Sequence, residues 1–113
     1  METYLYFAEN LGANAAGECA VYPASTFTGI DCIGATTTRI SFKALAGTAA
    51  DDTIRFTHVT GKFRQVAEAL ADALSDDSGE LVIFADEDNA VYSKMLRDLG
   101  CIDSSTALNI TLG

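Results

Sequence analysis

The chain has 113 residues, enough for one hydrophobic core and too few for two, so a single domain over residues 1–113 is expected. An apolar share of 49% beside a charged share of 20%, with 9 glycines and one proline, describes a chain that folds and excludes collagen-like or proline-rich disorder. Seven bases against 16 acids leave a net charge of −9, which repels phosphate backbones and anionic lipid, so neither nucleic acid nor a membrane is an expected direct partner.

The N-terminus, Met1-Glu2-Thr3-Tyr4, opens on an acid where a secretory signal carries a base, and no apolar run approaches the roughly 20 residues that cross a bilayer. Tyr4-Leu5-Tyr6-Phe7-Ala8 is aromatic-rich with apolar residues on both faces, the pattern of a strand covered on both sides. Glu9 through Gly17 reads as a loop. Cys19 to Tyr22 forms a second strand that stops at Pro23, which has no N–H for a ladder. The cysteines, Cys19, Cys32 and Cys101, are odd in number and lack C-x-x-C spacing. They signal neither a disulfide framework nor a thiolate zinc site, and they suit a reducing cytosol. Cys19 and Cys101 adjoin apolar residues and read as small buried hydrophobes.

Beyond a stretch punctuated by Gly29 and Gly34, Thr38 to Ala44 alternates strictly: Thr38, Ile40, Phe42 and Ala44 on one face, Arg39, Ser41 and Lys43 on the other. A turn over Gly47 to Asp52 leads to a strand from Thr53 to Val59, with Ile54, Phe56 and His58 together, and the two strands predict a hairpin. From Lys62 to Ser75, Phe63, Val66, Ala67, Leu70, Ala73 and Leu74 recur at helical steps, with Thr60 as N-cap and Gly79 past the end. Lys62 and Arg64 near its start and Asp72, Asp76 and Asp77 near its finish oppose the helix dipole, so packing must hold this helix. Leu81 to Ala85 is a continuous apolar run, best satisfied as a central strand beneath the helix. Residues 90–99 fit either a short helix or a strand followed by a loop. Leu108, Ile110 and Leu112 alternate as a final strand. The sum is an α+β fold, an antiparallel or mixed β-sheet of about six short strands with one main amphipathic helix, in the order β-β-β-β-α-β-β.

Few residues are left over for chemistry. His58 is the only histidine and shares its strand face with Ile54 and Phe56, so a packed histidine is the plain reading and a small hydrolase or isomerase built on it the sharper one. Asp86-Glu87-Asp88-Asn89 ends the apolar run; Asp86 and Asp88 could hold a cation, although the glycine and distal glutamate of a calcium loop are missing. The alternative is a solvated turn. Residues 65–93 hold eight acids and no base, a block that would meet a basic surface. Arg55, His58, Lys62 and Arg64 fall within ten residues and could receive a carboxylate or phosphate, or pair with a neighbouring subunit's acids. No glycine pattern of a nucleotide-binding loop occurs, and no cofactor is expected.

Tyr4-Leu5-Tyr6-Phe7-Ala8-Glu9-Asn10, then Gly12-Ala13-Asn14-Ala15, Gly17-Glu18 and Val21-Tyr22-Pro23-Ala24-Ser25, followed by Lys62 at the helix start, Ala85-Asp86 and Val91-Tyr92, resemble small virion-associated or uncharacterised proteins of marine bacteriophages of the cyanophage type. The resemblance implies a non-enzymatic virion structural or accessory protein, located in the virion or the host cytoplasm and present in many copies. It also implies symmetric self-association, with Tyr4 and Tyr6 of the aromatic first segment as natural contacts and other virion proteins as further partners.

Overall fold

Strands are the commonest element of this chain, and a computed structural model shows how they assemble; it describes residues 2–10, 19–47, 50–76, 79–104 and 106–112. Most of the loop expected after Glu9, part of the turn after Gly47, and Asp77 lie outside the described residues. The elements run β1 (Tyr4–Ala8), β2 (Cys19–Pro23), a 3-10 turn (Ala24–Thr26), β3 (Phe27–Gly34), β4 (Thr37–Phe42), β5 (Asp52–Thr57), α1 (Phe63–Ser75), β6 (Leu81–Asp86), β7 (Val91–Tyr92), α2 (Lys94–Asp98) and β8 (Ala107–Thr111). The α+β class and the principal helix are as expected. The strands divide between two four-stranded sheets, ordered β2-β1-β6-β7 and β3-β4-β5-β8.

The second sheet is antiparallel throughout and contains the expected hairpin, with Ile40 opposite Ile54 and Thr38 opposite Phe56. In the first sheet β1 pairs antiparallel with β2 and parallel with β6, a pairing the chain reaches only after passing through β3, β4, β5 and α1. The inner faces meet through aromatic rings. Tyr22 stacks on Phe42 at 4.5 Å between centroids, and Phe56 meets Phe84 edge-on at 6.2 Å. α1 touches both sheets, through β4 and β6, and buries Val66, Ala69, Leu70 and Ala73. Phe63, Ala67 and Leu74 of the predicted stripe are only half-buried, and Ala69 joins it.

Several local expectations are corrected. β3 is an eight-residue edge strand where the glycines suggested only punctuation; two register shifts beside Gly29 and Gly34 blur its alternation. Residues 90–99 hold both options in series, the two-residue β7 and then α2. Ser93 caps α2, its Oγ accepting from the Leu96 N–H at 3.2 Å. The helix closes in a Schellman arrangement: Gly100 at φ 74° donates to Arg97 and Cys101 N–H donates to the Leu96 carbonyl. Thr60 is not the cap of α1. Gly61 turns the chain at φ 76°, Lys62 takes the capping position, and no side chain caps the helix.

Candidate functional site

Side chains paired across a sheet share a face, so the register shows what the outside of the first sheet presents. One row runs Val21, Tyr6, Ile83 and the next Pro23, Tyr4, Leu81, across β2, β1 and β6. None of the six is charged. Leu81 is 54% exposed, Tyr4 41%, Ile83 39% and Val21 37%, while Leu5, Phe7 and Tyr22, at the alternate positions, are fully buried. Over Tyr4–Tyr6 and Leu81–Ile83 the two strands are therefore not covered on both faces as expected, whereas toward their C-terminal ends Phe7, Ala8, Phe84 and Ala85 are all buried. Fully burying a side chain of this size contributes about 1.5–3 kcal/mol, so a contiguous tile left partly in water retains a drive toward association.

The outside of the second sheet has the opposite character. Asp31, Arg39, Arg55 and Asn109 form one row across β3, β4, β5 and β8. Arg39 binds Asp31 with two hydrogen bonds of 3.0 and 2.7 Å, which hold the Asp31 carboxyl below its usual range.

The predicted basic group is dispersed by strand alternation and by the turn at Gly61. Arg55 points outward from β5 while His58 is fully buried; Lys62 and Arg64 stand at the start of α1, where Arg64 pairs with Glu68 at 3.2 Å. His58 Nδ1 lies 2.8 Å from the Val59 carbonyl, which can only accept, so that nitrogen carries a proton. Its Nε2 lies 2.8 Å from the Thr38 hydroxyl, and Phe63 packs edge-on against the ring. Both ring nitrogens are engaged inside the core.

Asp86 is buried and staples its own turn, accepting from Asn89 N–H at 3.2 Å and Asn89 Nδ2 at 2.9 Å, whereas Asp88 is exposed. Among the described residues no group of three or more His, Cys, Asp or Glu side chains converges as a cation site. Burial first, then the nearby Glu87 and Asp86 carboxylates, push the Tyr92 hydroxyl above its ordinary range. Cys101 is buried, and burial raises its thiol; Cys19, expected inside, is exposed on the same face of β2 as Val21, and Cys32 is exposed as well.

Tyr4 and Tyr6 of the first sheet's outer face were legible as candidates from their aromatic content. Val21, Leu81 and Ile83 were not, since an apolar run on both faces reads as a covered strand whichever face is open. No protein-family model matches the chain, and neither a curated protein nor a solved structure is significantly similar to it.

Proposed function

We propose that this chain is a non-enzymatic structural subunit that self-associates symmetrically through the outer face of its first sheet, as a bacteriophage virion structural or accessory protein. The uncharged tile of Val21, Tyr6, Ile83, Pro23, Tyr4 and Leu81 carries the self-association reading. On a molecule of charge −9, it is a surface that two copies can bring together without apposing carboxylates. A twofold arrangement sets tile on tile and leaves the acids at the periphery. The virion assignment rests on the resemblance of the opening segment to marine phage proteins, and places the protein in the particle or in the host cytoplasm during assembly.

Sedimentation of the wild type and of Tyr6→Lys tests the association. The wild type should sediment as a closed oligomer and Tyr6→Lys as a folded monomer with unchanged circular dichroism. A wild type that stays monomeric at high concentration refutes the association. Mass spectrometry of purified virions tests the location, and detection only in infected-cell extract refutes it.

A further inference from the structure

A sheet ends in an edge strand whose outward N–H and C=O groups form a row ready to pair. β6 is an interior strand over only part of its length. β7 pairs with Ala85 and Asp86 and goes no further, and the Ser93 N–H, donating to the Phe84 carbonyl at 3.0 Å, ends the contact. At the other end the Glu80 carbonyl accepts from the Tyr4 N–H at 3.2 Å, which sets the phase of the ladder. At the two-residue period of a strand, Glu80 and Val82 direct their backbone groups to β1 and Leu81 and Ile83 direct theirs to the opposite side; the register shift that follows, with Phe84 as the extra residue, is what turns the Phe84 carbonyl toward β7. Among the described residues no strand pairs with Leu81 or Ile83 on that side.

At the Ile83 end of that edge lies a groove of about 660 Å³ between α1 and α2. Ala69 and Ala73 of α1, Met95 of α2 and Val82 of the strand give it apolar surface. Its polar lining includes three carboxylates, Asp72, Asp76 and Asp98, against one ammonium, Lys94, which is bonded to Asp98 one turn along α2. An open strand edge lies in a slot with apolar walls and a negative lining.

We propose that this groove is a strand-addition site for an extended basic segment of a partner protein. The segment pairs with Leu81 and Ile83 in line with β7, sets small apolar side chains against Ala69, Ala73 and Met95, and brings Lys or Arg to Asp72 and its neighbouring carboxylates. Charge selects this occupant over a second copy of the chain, whose own β6 edge would bring a second set of the same carboxylates into the slot. The site adjoins the surface of the proposed self-association at Leu81 and Ile83 but differs from it in kind, since self-association uses side chains of the outer face and strand addition uses the backbone edge and the helices.

Fluorescence anisotropy with three labelled peptides tests it: alternating valine and lysine, alternating valine and glutamate, and the lysine peptide with its central valine N-methylated. The lysine peptide should bind, shifting the Leu81 and Ile83 amide resonances. The glutamate peptide should bind about tenfold more weakly or worse. The N-methylated peptide keeps the charge but loses a backbone donor, and should bind at least about fivefold more weakly. Asp72→Asn, an exposed change, should weaken the lysine peptide about threefold. Equal affinity of the parent and N-methylated peptides would reduce the groove to a patch of charge and overturn the proposal, as would absence of binding by the lysine peptide. Neither result bears on the sedimentation of the chain alone.

Discussion

Tyr22 joins the two sheets through both ends of its side chain. Its ring stacks on Phe42, and its hydroxyl donates at 2.8 Å to Asp52, a buried carboxylate that also accepts from the Leu45 N–H at 3.2 Å. Burial, with the Asp52 carboxylate adding to it, raises the Tyr22 hydroxyl above its ordinary value of 10.0. Because the folded value exceeds the unfolded one, this group's stabilisation is complete below about pH 10 and is lost as pH rises from there toward the folded value, by about 1.4 kcal/mol per pH unit. Tyr22→Phe should cost about 1.5–3 kcal/mol at neutral pH by removing a donor from a buried carboxylate, and should flatten the alkaline limb. Urea titrations from pH 8 to pH 12 measure both; a wild type as steady as the variant through the alkaline range contradicts the account. Ile40, Phe42, Ile54 and Phe56 show what was legible at this scale: each sits inside as its alternation predicts. The Tyr22–Asp52 contact was not legible, because it links residues 30 apart in sequence from different sheets.

Among the elements, β8 shows how one sheet edge is closed. β5 takes one side of it, and on the other the Ile110 N–H donates to Glu9 at 3.0 Å and the Leu108 N–H to Glu87 at 3.2 Å. Glu9 follows β1 and Glu87 follows β6, so two acids of the first sheet satisfy the free edge of the second. They give that edge to carboxylates rather than to another chain, while among the described residues no strand covers the Leu81–Ile83 edge of β6. Glu9→Ala should cost about 1.5–3 kcal/mol, the range for a hydrogen bond to a charged group, and should speed hydrogen exchange at Ile110 more than at Ile54. Equal acceleration at both amides would mean a global loss rather than a freed edge. Spacing alone revealed β4, β5 and α1, where periodicity is long and regular. It missed β3, whose glycines and register shifts interrupt the pattern, and left β7 and α2 unresolved because each is too short to complete a period.

For the whole molecule, charge and shape act against each other. Sixteen acids against seven bases make any two copies repel, while the apolar tile on the first sheet favours contact. Self-association should therefore tighten as salt rises. Between about 0.01 M and 1 M the Debye length falls from about 30 Å to about 3 Å, which removes the repulsion and leaves the apolar contact in place. Sedimentation across that range measures it, and dissociation by salt would show that ion pairs, not the tile, hold the subunits together. Binding of a basic peptide in the groove depends on attraction and should respond in the opposite sense.

The α+β class, the main helix and the inward faces of β4, β5 and β8 were determined by the amino-acid sequence alone, because hydrophobic periodicity is a local property that states which side of an element must be buried. Which sheet each strand joins, and whether its second face is covered, depends on partners distant in the chain. Tyr4 and Tyr6 were visible as aromatic, and Arg55, Lys62 and Arg64 as basic. Only the tertiary arrangement set Tyr4 and Tyr6 beside Val21, Leu81 and Ile83, separated Arg55 from the others, and left the Leu81–Ile83 part of one side of β6 without a strand among the described residues. Burial is decided by pairing, and pairing across nearly the whole length of a chain leaves no trace in the spacing of neighbouring residues.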